Sequence, residues 1–160
     1  MVLNYLGFLE SAFFIFGVPR AEITGRKIFE VGAKYYFEDL GLRHAIINFK
    51  AADISKILKN IVYLHLRIAG YQVYIGKSGA KEVDFICERD GERMYVQVCY
   101  LLASQDTIDR EYASLVEIPD NYPKYLVSMD EIGKTSSYKG IEHMHIKDFC
   151  LRLSKSETYI

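Results

Sequence analysis

Residues 81–100 read KEVDFICERDGERMYVQVCY, and their pattern predicts the central element of the fold. It contains two runs rich in residues that favour strands, Glu82–Glu88 and Arg93–Tyr100. Asp90-Gly91 lies between them, a dipeptide typical of tight hairpin turns because both of its residues tolerate positive φ. The stretch therefore predicts an antiparallel hairpin.

The regions on either side of this hairpin predict alternating helices and strands. Apolar residues recur at helical spacing before it, from Ile54 to Ala69, and Gly70 is positioned to end that helix. The further predicted elements are a strand at Tyr71–Ile75, a helix at Asp106–Val116, strands at Lys124–Ser128 and Ile141–Ile146, and a helix at Lys147–Leu153. A hairpin followed by helical crossovers requires a mixed sheet flanked by helices, which is an α/β (α+β) fold.

The first 49 residues form a segment of different character. Leu3–Phe16 has the spacing of a buried helix, and Ala21–Ile23 with Lys27–Val31 predicts a hairpin around Thr24-Gly25-Arg26. The aromatic stretch Lys34–Leu40 follows, with Gly41 as a predicted stop. We expect a segment at 1–49, a boundary within 44–52 and a domain at 53–160. The first segment is too short to bury its own aromatic side chains, so it should pack against the rest.

The composition indicates a globular protein without a basic excess. Half of the 160 residues are hydrophobic and the formal net charge is −1, so any DNA contact would need a local patch. The three cysteines have no CxxC spacing, which disfavours both a disulfide framework and a zinc site. The cysteines fit a reducing cytosol, and no apolar run near the start is long enough for a membrane span, so we expect a cytoplasmic protein.

The hairpin also carries the most informative chemical pattern. Asp84 lies near the start of its first strand, and Gln97 and Cys99 lie on one face of the second because side chains alternate along a strand. In a metal-dependent nuclease, a strand carboxylate is followed on the next strand by an acid and a lysine two residues apart. The two acids hold Mg²⁺ and the lysine activates the attacking water.

Four stretches carry a resemblance to a known family: KYYFEDLGLR at 34–43, KNIVYL at 59–64, KEVDF at 81–85 and DNYPK at 120–124. In their order and spacing they resemble the PD-(D/E)xK restriction-endonuclease-like superfamily. They are most similar to the C-terminal domain of unknown function that follows the ATPase module in prokaryotic AAA-type ATP-binding proteins.

The resemblance implies a winged-helix-like start, with Leu3–Phe16 as its last helix and residues 21–31 as its wing. It also implies an AAA-type ATPase module as partner, either in the same polypeptide or as a separate protein. The chain has no phosphate-binding loop of its own: Gly133-Lys134-Thr135 would need a glycine at position 128, where Ser128 stands.

The catalytic positions of the family are mostly replaced in this chain. The resemblance places Lys59 where active relatives have a helix glutamate, keeps Asp84, and puts Gln97 and Cys99 at the second acid and the lysine. We therefore expect no catalysis and no cofactor, and predict a module that binds DNA or protein or regulates the ATPase.

The alternative is an active Mg²⁺-dependent nuclease with a migrated site around Asp84, helped by Glu82 or Glu88. A third hypothesis is an oligomerisation domain, and the chain could form a homodimer.

Five basic residues are candidate nucleic-acid contacts: Arg26, Lys27 and Lys34 could form a DNA-facing wing, and Lys77 and Lys81 flank a predicted turn at Ser78-Gly79. Acidic residues in the same hairpin leave an ordinary solvated surface equally compatible with this pattern. His143 and His145 could form a metal pair on one strand face, but two imidazoles without a third ligand favour a solvated edge strand.

Overall fold

The computed structural model describes residues 2–24, 27–78, 81–131 and 136–155. Five α-helices and eight strands occur within these ranges, together with one 3₁₀ turn at Ala51–Asp53. The helices are α1 (Val2–Ser11), α2 (Leu40–Ile47), α3 (Ile54–Ile68), α4 (Gln105–Val116) and α5 (Ile146–Lys155). The strands are β1 (Ile15–Glu22), β2 (Ile28–Phe37), β3 (Gln72–Ser78), β4 (Lys81–Arg89), β5 (Glu92–Val98), β6 (Lys124–Ser128), β7 (Ser136–Tyr138) and β8 (Ile141–His145).

The described strands form one mixed sheet in the order β2-β1-β3-β4-β5-β6-β8-β7. Strand β1 runs parallel to β3, β5 parallel to β6 and β6 parallel to β8, and the other neighbours are antiparallel. The prediction that β3, β4, β5 and β6 share one mixed sheet, with the helix now labelled α3 packed on it, is confirmed. No helix in the described part of the chain is long and apolar enough to cross a membrane.

Each face of the sheet is covered by its own core. On the first face, helices α3 and α5 bury Val62, Leu66 and Phe149 against strand residues such as Phe85 and Val96. On the second face, helix α4 packs Tyr112 and Leu115 onto another set of apolar strand residues that includes Tyr95, Leu126 and Ile141. A sheet covered on both faces has strands that are apolar on both sides, which explains the near-continuous burial of the central strands.

The β4–β5 hairpin forms as predicted. Asp90 has φ 53° and Gly91 has φ 83°. Both central residues of the turn therefore have the positive φ that a two-residue type I′ hairpin turn requires. The predicted end of α3 is also confirmed, since Gly70 follows the helix with φ 79°.

Strand β4 contains an irregularity that the sequence did not predict. Tyr74 of β3 pairs with Ile86, whereas Gly76 pairs with Val83, so β4 has one extra residue between these pairs. A β-bulge of this kind interrupts the alternation of side chains. On a regular strand Phe85 and Val83 would share a face. Here Phe85 packs in the core under α3, whereas Val83 packs in the core under α4.

The N-terminal helix differs from its prediction. Helix α1 ends at Ser11, Phe13 has φ 58°, and the chain then enters β1, which contains Phe16. The predicted burial is also wrong, because Leu9 and Phe13, two residues of the predicted apolar stripe, keep 42% and 68% of their surface exposed. The apolar spacing is present in the sequence, but the neighbouring elements within the described residues leave these two side chains exposed.

The N-terminal hairpin is present and belongs to the main sheet. Strands β1 and β2 are longer than predicted, and β2 continues through the aromatic stretch to Phe37. The side chain of Asn60 on α3 accepts from the Phe37 N–H and donates to the Phe37 C=O, both at 2.8 Å, which ties β2 to the helix. Gly41 lies inside α2 and is not a stop. The turn residues Gly25 and Arg26 lie outside the described residues, and the division at about residue 50 stays a prediction.

Candidate functional site

The candidate site lies where β4 and β5 separate. Their backbone pairing runs from Arg89 and Glu92 to Phe85 and Val96 and stops there. Beyond these residues, side-chain oxygens accept the hydrogen bonds of the backbone N–H groups in place of the facing strand. The Val98 N–H donates to Asp84 Oδ2 over 2.9 Å, and the Asp84 N–H donates to Gln97 Oε1 over 3.1 Å. The resemblance predicted that Asp84 and Gln97 would meet, and the structure brings them together at this fork.

Lys59 reaches the fork from helix α3. Its Nζ lies 2.5 Å from Asp84 Oδ1, so both oxygens of this carboxylate are engaged. Asp84 is 2% exposed, and burial raises the pKa of its carboxyl group; Lys59 and the Val98 N–H oppose that rise. An unpaired carboxylate at this depth would be costly, and the ammonium group offsets that cost.

Gln97 connects the fork to the second face of the sheet. Its Nε2 donates to Glu111 Oε2 on α4 over 2.9 Å, while its oxygen is held by the Asp84 backbone. Sequence reasoning missed Glu111, because the helix pattern at 105–116 does not distinguish it from the other polar residues. Only the packing of α4 onto β5 shows that this acid belongs to the site.

Glu82 and Glu88, the two acids proposed as substitutes, have different positions. Burial raises the pKa of Glu82, but contacts with Lys34 and Arg20 outweigh it and hold that pKa below its ordinary value. Glu88 instead accepts from Arg93 Nε over 2.9 Å and borders Tyr74 and Ile86 on the other face. The prediction that Glu88 shares a face with Asp84 is wrong, because the bulge in β4 reverses the alternation.

Cys99 lies on the same face as Gln97, as strand alternation predicted. It is buried in the α4 core with Tyr95 and Tyr112, and burial raises the pKa of its thiol to about 12. A thiol with this pKa is protonated at neutral pH and is a poor nucleophile.

The donor set at the fork does not fit Mg²⁺. This ion prefers anionic oxygens with near-octahedral geometry. Asp84 has no free oxygen, the Gln97 amide is bonded through both ends, and the Lys59 ammonium occupies the approach to the carboxylate. Nowhere in the described ranges do three or more His, Cys, Asp or Glu side chains cluster in a way that could hold a metal ion.

The fork opens into a cleft of about 520 Å³ whose charges balance. Its lining has three cations, Lys59, Lys81 and Arg110, and three carboxylates, Glu82, Asp84 and Glu111. Ion pairs join Lys59 to Asp84 and Arg110 to Glu111, and Lys81 pairs with Glu117 beyond the lining. The cleft is polar without carrying a net charge of its own.

The basic residues proposed to contact nucleic acid do not form one stripe. Lys81 lines the fork cleft and is bound to Glu117, whereas Lys34 lies outside that lining and is bound to Glu82. Lys27 and Lys77 flank the ring of Phe29 instead, with their Nζ atoms 6.0 and 5.8 Å from its centroid. Arg26 lies outside the described residues.

The prediction of a solvated histidine pair is wrong for His143, which is buried. Strand β7 covers the edge of β8, and His143 is 6% exposed with its Nε2 2.8 Å from Ser128 Oγ. Burial lowers the pKa of His143, although Asp130 acts in the opposite direction. His145 is half-buried, and its Nδ1 accepts from the Lys147 N–H over 3.2 Å.

Comparisons with known proteins relate the chain to part of a longer bacterial protein. No protein-family model matches the chain. The chain is 34% identical over 151 residues to a protein of Haemophilus influenzae that is described only as uncharacterised. The match covers 94% of this chain but 37% of the relative. The chain is therefore similar, over nearly all of its length, to a little more than a third of a longer bacterial protein.

Proposed function

We propose that the chain is a catalytically inactive nuclease-like module that docks onto another protein domain. The observation that carries the first part is the Lys59–Asp84 ion pair, with 2.5 Å between Nζ and Oδ1. In a PD-(D/E)xK nuclease the corresponding carboxylate would bind Mg²⁺. Here the ammonium group of Lys59 neutralises the charge of Asp84, and no metal ion is needed to stabilise the carboxylate.

The remaining fork contacts support the same conclusion. Gln97 replaces the second acid, and its amide joins the Asp84 backbone to Glu111 on α4. An amide bonded at both ends serves to hold two strands and a helix together, and has no free oxygen pointing to a substrate. Since each polar group at the fork has a partner within the protein, the site is built as a structural network.

Exposed apolar side chains favour a protein partner over DNA. The fork cleft has balanced charges and the whole chain has a net charge of −1, so neither provides the cationic surface that phosphate backbones require. The segment Val2–Phe14 instead exposes 69% of Phe8 and 68% of Phe13. We call this segment the α1 surface, and apolar surfaces of this kind mark docking sites.

The proposed occupant of the α1 surface is an AAA-type ATPase module, as the family resemblance implies. The H. influenzae relative supports a larger neighbour, because the chain aligns with 37% of its length. Docking of this module would cover the aromatic side chains that the described residues leave exposed. A homodimer formed through the same surface is the competing outcome.

The absence of catalysis is tested with supercoiled and single-stranded DNA in Mg²⁺ or Mn²⁺. We expect no cleavage by the wild-type chain above the level of an Asp84→Asn variant. Metal-dependent cleavage that Asp84→Asn abolishes would overturn the proposal and establish the alternative, an active nuclease with a site around Asp84.

Docking is tested on the α1 surface with Phe8→Ser/Phe13→Ser. The wild-type chain should associate in a concentration-dependent way in sedimentation velocity, or it should bind the apolar dye ANS. The double variant should lose whichever of these two signals the wild type shows. Leu151→Ser is the matched control, because Leu151 is 49% exposed on α5. A wild-type monomer that binds no dye would contradict docking through α1, and tight salt-dependent binding of duplex DNA would favour the nucleic-acid function.

A further inference from the structure

A second cleft of about 610 Å³ lies on the other side of Lys59. It is formed by β2, α2 and the first turns of α3, and it does not belong to the fork cleft apart from the shared lysine. Four cations line it, Lys34, Arg43, Lys56 and Lys59, against the single carboxylate of Asp53. When the partners of Lys34 and Lys59 beyond the lining, Glu82 and Asp84, are counted as well, one positive charge remains in excess.

Arg43 shows that a polar group in this cleft lacks a partner. The residue is 6% exposed, and its Nη2 is held by Asp53 Oδ2 at 3.2 Å. Its Nη1 is buried and finds no acceptor in the parts of the chain that the structure describes. Buried guanidinium N–H groups are nearly always bonded, so this donor points to an acceptor supplied from outside the chain.

The start of helix α3 adds a second feature that favours an anion. Asp53 is the N-cap residue but makes no capping hydrogen bond through its side chain, because its carboxylate is turned towards Arg43 and Lys56. The first turn of this 15-residue helix contains no acidic residue. Apart from the Asp53 carboxylate, which is paired with Arg43 and Lys56, the positive end of the helix dipole meets no acidic side chain of its own first turn, which favours an anionic ligand.

We propose that this cleft binds an organic phosphate monoester. The phosphate group lies against Arg43 and Lys56 at the start of α3, where a small rotation of the Arg43 side chain brings its unpartnered, buried nitrogen to a phosphate oxygen. The organic part lies against Tyr35 and Ile47, which line the same cleft and are 38% and 43% exposed. A nucleoside monophosphate has both parts. This inference does not rest on the proposed docking function.

The test measures binding of three probes by calorimetry: adenosine monophosphate, inorganic phosphate and adenosine. We expect the monophosphate to bind about tenfold more tightly than phosphate, and adenosine alone not to bind at millimolar concentration. Equal affinity for monophosphate and phosphate would overturn the role of Tyr35 and Ile47. Absence of binding by both phosphates would overturn the site.

Two variants locate the site. Lys56→Gln should weaken monophosphate binding about tenfold, because a charge-assisted hydrogen bond is lost, and it cannot disturb the core because the Lys56 side chain is 74% exposed. Arg43→Lys keeps the charge but removes the unpartnered nitrogen, and should weaken binding by a similar factor. Lys147→Gln, an exposed lysine on α5, is the matched control. Unchanged affinity in both Lys56→Gln and Arg43→Lys would overturn the location.

Discussion

The Lys59–Asp84 pair predicts a defined loss of stability when its cation is removed. Lys59→Met keeps most of the side-chain stem but deletes the ammonium group. The carboxylate of Asp84, which is 2% exposed, then keeps only its hydrogen bond from the Val98 backbone N–H within the described residues. Breaking a buried ion pair by removing one partner costs about 3–5 kcal/mol. The Lys59 side chain is 25% exposed, so water screens part of the interaction and we expect about 3 kcal/mol, at the low end of that range.

A double-mutant cycle isolates the interaction from the loss of packing. Asp84→Asn leaves Lys59 able to turn its ammonium towards solvent, so this variant should lose about 1–2 kcal/mol. Lys59→Met combined with Asp84→Asn leaves no charge at the fork pair. The double variant should therefore be more stable than the sum of the two losses predicts, with a coupling energy of about 2 kcal/mol.

The same cycle has a predictable dependence on pH. Burial raises the pKa of Asp84 in the folded protein, and Lys59 and Val98 oppose it. A carboxyl group whose folded pKa is raised binds more protons in the folded state, so its contribution to stability increases as pH falls through that pKa. Without Lys59 the pKa rises further. The loss caused by Lys59→Met should thus be largest at neutral pH and shrink towards about pH 4, the unfolded value for aspartate.

The assay is urea unfolding followed by far-ultraviolet circular dichroism at several pH values, with the exposed Lys147→Met as control. The control should change the free energy of unfolding by less than about 0.5 kcal/mol. A coupling energy below about 0.5 kcal/mol, or a Lys59→Met variant that is as stable as the wild type at neutral pH, would refute the reasoning.

Three further predictions concern the framework around the site. Asn60→Ala removes both bonds to the Phe37 backbone and should cost about 3 kcal/mol in urea unfolding; a loss below about 1 kcal/mol would show that water replaces the amide. Gly91→Ala should cost about 1 kcal/mol because φ is 83° there, whereas Gly7→Ala in α1, with open space around it, should be neutral or stabilising. Cys99, with a pKa of about 12, should react with a thiol reagent in the native protein no faster than the unfolding rate, and rapid labelling without urea would contradict its burial.

Several features of the protein could be predicted from the sequence because they depend on local patterns. Strand and turn preferences identified the hairpin around Asp90-Gly91, and the spacing of apolar residues identified α3 almost to the residue. The order of elements was sufficient for a mixed sheet flanked by helices. Alternation along β5 and into the residue after it correctly placed Gln97 and Cys99 on one face, because that strand is regular.

The tertiary structure decided what depends on contacts between distant elements. The bulge in β4 arises from its pairing with β3, and it moves Glu88 to the face opposite Asp84. Glu111 joins the fork only because α4 packs over β5. The start of the chain shows the same limit: apolar spacing predicted a buried helix, but burial requires a neighbour, and the described structure leaves Leu9 and Phe13 exposed. Periodicity defines which side chains share a face, whereas the elements packed against that face decide whether it becomes core, site or surface.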